Sequence, residues 1–247
     1  MPNFFLPPDQ CKGPTLHLTG REAHHALHVL RVRRGERVRV LDGHGQDFIC
    51  EIDSSDRDKL RLQIIEKKVV PPPPWQITLL QAIPKGKLIE SIIQKATELG
   101  VHRVVPLLSE RVVTRLDQKS EKSGKWESVA IEAIKQCGSA WLPRIEPAMT
   151  PAQFIARNEQ FDLPFLASLQ PGAQHPRKHF LDFQSRHRRA PRTICVWVGP
   201  EGDFSPAEVS AIESSGARPI TLGRLVLRTE TAALYCLSVL NYELQAS

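Results

Sequence analysis

No run of apolar residues in the 247-residue chain approaches the roughly 18–20 that a membrane-spanning helix needs. The opening MPNFFLPPDQ lacks the basic stretch and apolar core of a secretory signal, so a soluble, cytoplasmic protein is expected. Cysteine is sparse. Cys11, Cys50, Cys137, Cys195 and Cys236 are scattered without a CxxC pair, and an odd count fits free thiols in a reducing compartment better than a disulfide framework. His24 and His28 would share a helix face beside His25, but no further ligand at metal-binding spacing completes the set, so no metal is expected. No aromatic stripe suggests a stacking platform for single strands, and neither GxGxxG nor GxxxxGK[ST] occurs, which leaves a nicotinamide enzyme or an NTPase unsupported. Charge of one sign is also modest, 33 Lys+Arg against 27 Asp+Glu for a net +6. With 41% hydrophobic and 24% charged residues, the composition is that of an ordinary globular protein, not a disordered or collagen-like one.

What the chain does have begins with a boundary. Pro71 to Pro74 are four consecutive prolines, which cannot join a sheet ladder and form a stiff linker over 71–75. Before it, in 1–70, short strands are expected at 37–41, 47–52 and 60–65, the first two joined by the turn Asp42-Gly43-His44-Gly45. Thr19 with Glu22 reads as a capping box for a helix through Leu30 that buries Leu27 and Leu30. A small β-barrel-like module follows from this pattern. After the prolines, in 76–247, strands alternate with helices. Strands are expected at 77–83, 101–108, 165–169, 194–198 and 219–222, and helices at 87–99, 126–136, from Pro206, and over 230–244. Continuous apolar strands separated by helices indicate a parallel sheet covered on both faces, with ligands at the carboxyl ends of its strands.

Two strand ends carry loops suited to chemistry. In 198–208, Gly199 and Gly202 allow close approach of a ligand to the main chain, and Ser205, Pro206 and Glu208 form a strong helix start whose dipole end faces the loop. The same residues also make an ordinary strand-to-helix turn. In 222–232, Arg228 stands beside the start of the last helix, where a cation is electrostatically misplaced, with Thr229 as a plausible N-cap. Such a conflict points to function, while an Arg228–Glu230 surface pair is the plainer alternative. Basic residues cluster as well. Residues 21–39 hold six Arg against Glu22 and Glu36, net +4, and residues 177–192 hold six Lys or Arg against Asp182, net +5. Two patches of this kind beside a parallel-sheet ligand site suit a nucleic-acid backbone, with Lys85 and Lys87 contributing.

The runs KGKLIESIIQKATELGVHRVVPLLSER (85–111), IEAIKQCG (131–138), VGPEGDFSPAEV (198–209) and LGRLVLRTETAAL (222–234), behind HHALHVLR (24–31), resemble the RsmE family of 16S ribosomal RNA uracil-N3 methyltransferases, within the SPOUT superfamily. The likeness spans almost the whole chain. It implies an α/β protein with a PUA-like RNA-binding β-barrel followed by a SPOUT domain of mostly parallel sheet carrying a C-terminal trefoil knot. It further implies S-adenosyl-L-methionine as cofactor, 16S RNA of the small ribosomal subunit as partner, and a homodimer. Cofactor-binding positions implied by the likeness are Leu166, Ala167, Leu169, Val198, Gly199, Pro200, Glu201, Gly202, Leu222, Gly223 and Leu227. Arg228 is expected to orient the base or stabilise charge on the uracil carbonyls, and Glu230 or Glu201 to act as general base or to position the arginine. RNA-binding expectations fall on Arg21, His25, Arg31, Arg33, Arg34, Lys85 and Lys87. The chain departs from the family pattern at Asp203, where a second glycine is usual, at Leu225, where a basic residue is usual, and at Ser139, where Arg is frequent. Two other readings remain open: a SPOUT enzyme acting on transfer RNA or a ribose 2′-hydroxyl, and a non-catalytic RNA-binding protein. The terminal-helix residues Leu234, Leu237, Leu240 and Leu244 fit either core or a dimer face.

Overall fold

The computed structural model describes residues 1–56, 58–111, 119–170 and 172–245. They divide into two compact units, Met1–Pro72 with Ile131–Leu142, and Pro73–Ala130 with Pro143–Ser247. The first unit contains β1 (Asn3–Phe5), β2 (Thr15–Thr19), α1 (Gly20–His24), β3 (Arg37–Leu41), β4 (Gln46–Asp56) and β5 (Lys59–Val69). Its sheet has the order β1-β3-β4-β5-β2; β1 and β3 run parallel and the remaining pairs antiparallel. Alternating apolar positions, such as Val38 and Val40 on β3 and Leu60 and Leu62 on β5, turn to one face and close a core with Phe4, Leu16, Leu18, Phe48 and Ile52. Asp42 makes the β3–β4 turn by accepting from the N–H groups of His44 at 2.7 Å and Gln46 at 2.8 Å.

The expected capping box at Thr19 is not formed. The helix is a short α1 that continues as a π-helical turn, His25–Val29, and Thr19 makes no side-chain cap bond. Glu22 is drawn elsewhere: its carboxylate accepts from Phe5 N at 3.1 Å and pairs with Lys135 Nζ at 2.8 Å. With the register widened in this way, Ala23 and Ala26 are buried while Leu30 is exposed. Residues of the 131–142 segment complete this unit. Trp141 Nε1 donates to Val70 O at 3.1 Å, Gly45 N to Ala140 O at 2.9 Å and Leu142 N to Gly43 O at 2.9 Å.

In the second unit the chain runs β6 (Gln76–Ala82), α2 (Leu88–Glu98), β7 (Arg103–Leu107), α3 (Lys119–Cys137, of which the part to Ala130 belongs here), β8 (Arg144–Ile145), α4 (Pro151–Ile155), β9 (Leu163–Ala167), α5 (Pro176–His187), β10 (Thr193–Val198), α6 (Pro206–Ser214), β11 (Arg218–Ile220) and α7 (Thr229–Gln245). All six strands are parallel, in the order β11-β9-β10-β6-β7-β8. From β6 the chain builds outward to β8 and then returns to place β9 and β10 on the other side. The switch point therefore lies between β6 and β10, where open α/β sheets bind ligands. Asp162 fixes the amino ends of β9 and β10, taking both nitrogens of Arg189 at 2.9 and 2.7 Å and Arg192 N at 2.6 Å. These donors, chiefly the guanidinium, hold its carboxyl down at about 2. Leu237, Leu240 and Leu244 of α7 are buried core side chains; the outward positions on that helix include Tyr235 and Tyr242.

Candidate functional site

Three segments meet at the carboxyl ends of β9 and β10: residues 167–169, 198–203 and 222–232. Ala167, Ser168, Leu169, Val198, Gly199, Pro200, Glu201, Asp203, Leu222, Gly223, Leu225, Val226, Leu227, Arg228, Thr229 and Ala232 enclose a cavity of about 280 Å³ there. The wall is built largely from apolar residues and glycines. Of the cofactor positions expected from sequence, Ala167, Leu169, Val198, Gly199, Pro200, Glu201, Leu222, Gly223 and Leu227 line it. Leu166 does not: alternation along β9 turns it into the core with Trp197 and Phe204. Gly202 also lies outside the wall, its carbonyl accepting from Arg111 Nη1 at 2.6 Å. A second and larger cavity, about 450 Å³, is lined by Phe154, Trp197, Ser214 and Arg218 among others and contains none of the expected site residues.

The loop after β10 is shaped by its own side chains. Ser205 and Glu208 form the expected capping box, Ser205 Oγ accepting from Glu208 N at 3.2 Å and Glu208 Oε2 from Ser205 N at 2.9 Å. Glu208 Oε1 also accepts from Glu110 N at 2.9 Å, which joins the ends of β7 and β10. Asp203, at φ +60°, takes a left-handed conformation and accepts from Phe204 N through Oδ1 at 2.8 Å. A Cβ on Gly199 would stand 2.8 Å from that oxygen, so this position excludes a side chain. Gly223 has φ +108°, a region that L side chains rarely enter, and lies on the cavity wall.

Arg228 is exposed on the cavity wall and makes no ion pair among the described residues; the alternative of a bridge to Glu230 is not realised. Its carbonyl accepts from Ala232 N at 2.8 Å at the start of α7. Glu230 is half-buried and outside the wall, whereas Glu201 is on it and accepts from Lys85 N through Oε1 at 3.1 Å. Thr229, expected as a cap, instead donates its hydroxyl to Gly199 O at 2.6 Å and accepts from Gln81 Nε2 at 2.9 Å. Sequence reading missed Asp203, Thr229 and Ala232 as wall residues. Their common signal, adjacency to expected positions on the same two loops, was available.

The basic candidates fall into two groups. In the first unit, Arg31, Arg33 and Arg34 are exposed and form no ion pair among the described residues; Arg31 is in the left-handed region at φ 54°. Arg21 is bridged to Glu132 at 3.3 Å and half-buried His25 packs edge-on against Phe4 at 6.1 Å. In the second unit, Lys85 and Lys87 are exposed on the loop after β6. Arg189 of the 177–192 patch is committed to Asp162. Four of the five cysteines are buried and all are free thiols, and among the described residues no group of three potential ligands could hold a metal ion.

Residues 71–241 match the RNA methyltransferase domain family and residues 18–65 the RNA methyltransferase PUA domain. The chain belongs to the RNA methyltransferase family. Ribosomal RNA small subunit methyltransferase E of Bacillus subtilis (strain 168) is 32% identical over 239 residues, covering 94% of this chain and 91% of that one. A Legionella pneumophila structure, described as a methyltransferase in complex with the bound cofactor SAM, superposes with a TM-score of 0.86 at 30% identity, over 99% of this chain and 96% of that one. Ribosomal RNA small subunit methyltransferase E from Neisseria gonorrhoeae, bound to S-adenosyl methionine, has a TM-score of 0.84 at 27% identity, over 98% and 97% of the two chains. The mixed α/β class, with a PUA-like module ahead of a six-stranded parallel sheet, is that of this family. No helix among the described residues is long and apolar enough to cross a membrane.

Proposed function

We propose that this chain methylates N3 of a uridine in 16S RNA of the small ribosomal subunit, with S-adenosyl-L-methionine as donor. The observation that carries the reading is the cavity at the carboxyl ends of β9 and β10, walled by three loops and bordered by Arg228, which makes no ion pair among the described residues. Its residues fit the cofactor. Leu169, Val198, Leu225, Val226 and Leu227 offer apolar surface to a flat purine, and Gly199 and Gly223 present wall positions without side chains. When bound, the cofactor supplies an activated methyl group on a sulfonium, so alignment and proton removal remain for the protein.

Arg228, with no ion-pair partner among the described residues, orients the uracil and stabilises negative charge that develops on its carbonyl oxygens as N3 loses its proton. Glu201 is the carboxylate on the cavity wall and is assigned the proton; its hydrogen bond to Lys85 N also joins the basic loop to the rim. Glu230, outside the wall, positions the first turn of α7. Arg31, Arg33 and Arg34 hold RNA phosphates, and Lys85 and Lys87 add charge on the second unit. A homodimer belongs to the same reading, supported by Leu225 and Val226, 77% and 78% exposed, and by the outward tyrosines of α7.

The decisive measurement is mass spectrometry of nucleosides from 16S RNA of a strain lacking the gene. Loss of 3-methyluridine, restored by the wild-type gene but not by Arg228→Ala, is expected, and the purified Arg228→Ala protein should keep its circular dichroism spectrum. Restoration by Arg228→Ala would remove the arginine from the mechanism. Loss of a ribose methylation or of a transfer-RNA modification would move the substrate assignment, and no binding of cofactor in calorimetry would leave an RNA-binding protein only.

A further inference from the structure

Gln81 is an amide among the buried residues that make up β6 after Gln76. It is fully buried, between Leu80 and Ala82 at the carboxyl end of β6. An amide in such a place is costly unless its hydrogen bonds are met. Nε2 uses both of its hydrogens, donating to Ala82 O at 2.8 Å and to Thr229 Oγ1 at 2.9 Å. Thr229, 4% exposed, has one hydroxyl hydrogen, and it goes to Gly199 O at 2.6 Å. With that hydrogen committed, Thr229 can only accept from Gln81. The direction of the relay, Gln81 to Thr229 to Gly199, is therefore fixed, and so is the amide orientation that leaves Gln81 Oε1 buried without a partner.

The relay joins segments 148 and 30 residues apart in sequence, and two of its three members, Gly199 and Thr229, form the cavity wall. Core packing alone does not account for a glutamine here: leucine would fill similar space without an orphaned acceptor. We infer that Gln81 is a positioning residue of the cofactor site, holding the Thr229 hydroxyl and through it the Gly199 carbonyl and the first turn of α7, which Arg228 immediately precedes. It touches neither cofactor nor RNA. This inference rests on the cofactor reading above for its consequence in binding, but not for its geometry.

The test compares full-length Gln81→Leu, Thr229→Val, Thr229→Ser and the Gln81→Leu/Thr229→Val double variant by two readouts. These are amide hydrogen exchange across 199–204 and 229–232 without ligand, and S-adenosylmethionine affinity by calorimetry. Gln81→Leu should leave the thermal midpoint unchanged or raised, accelerate exchange in both segments about tenfold, and weaken cofactor affinity about tenfold, the size of one hydrogen bond. Thr229→Val should match it, Thr229→Ser should keep wild-type exchange because the hydroxyl is retained, and the double variant should be no worse than either single, as expected of one chain cut twice. Wild-type exchange and affinity in Gln81→Leu, or fully additive effects, would overturn the inference. If Gln81→Leu does not fold, the contrast between Thr229→Val and Thr229→Ser decides it. If the wild-type chain does not bind S-adenosylmethionine, the cofactor reading falls, while the exchange data still settle the role of Gln81.

Discussion

Asp203 shows how one side chain can stand where glycine is usual in the family resembled. A non-glycine residue at φ +60° carries a steric penalty of roughly 1–2 kcal/mol. Asp is among the few residues that tolerate this region, and here its Oδ1 accepts from the next N–H, which offsets the cost. The arrangement is coupled to Gly199, since the same oxygen occupies the place of a Gly199 Cβ. Asp203→Gly should therefore fold with stability within about 1 kcal/mol of wild type, whereas Asp203→Val should lose roughly 2–3 kcal/mol through the β-branched clash. Urea titration of both variants checks this, and equal stability of Val and Gly would refute it. Gln81 and Thr229 were less legible. One glutamine in an apolar strand carries no periodic signal, and a threonine before a helix reads as a cap for that helix. Only tertiary structure reveals that its hydroxyl is spent on Gly199.

At the scale of elements, hydrophobic pattern located β6, α2, β10, α6 and α7 to within about two residues, because continuous apolar runs and helical spacing have few other interpretations. Elements without such a signal were missed: β1 has three residues, β8 has two, and α5 is rich in Arg, Lys and His with only Pro176, His179, Phe180 and Phe183 buried. α7 illustrates a finer point. Its leucine stripe reads equally as core or interface, and the structure spends it on the core, as with Leu237, Leu240 and Leu244. Any dimer face on α7 must use the opposite side, where Tyr235 and Tyr242 are 41% and 70% exposed. Sedimentation of the wild-type protein should give twice 27.8 kDa, and Tyr235→Glu with Tyr242→Glu should reduce it to the monomer. A wild-type monomer at micromolar concentration would exclude this interface.

Across the whole molecule, the net charge of +6 gives little indication of a partner until its distribution is resolved. Ion pairing sharpens the distribution further. Arg39 is held by both oxygens of Asp47, at 2.7 Å each, and Arg189 by Asp162, so these two cations are structural. Arg31, Arg33 and Arg34 are unpaired among the described residues and exposed on one loop. Replacing all three with Gln should weaken binding to small-subunit RNA and lower the slope of log affinity against log salt by about 2–3, without changing cofactor affinity. An unaltered slope would return them to ordinary surface charge. Bound cofactor and bound RNA are then separable by variant, one through Gln81 and Thr229, the other through this loop.

The segment Ile131–Leu142, which belongs to the first unit, has a consequence for synthesis. Trp141 and its neighbours complete the β3–β4 turn and the end of β5, yet they are encoded well after the proline run. From Pro72 to Leu142 is 142 − 72 = 70 residues. At 5–20 residues per second, the amino-terminal unit waits roughly 4–14 s on the translating ribosome for its last piece, and in that time the Pro73–Ala130 part of the second unit is made. Chain order and folding order are therefore interleaved: the module made first is not the one that can be finished alone.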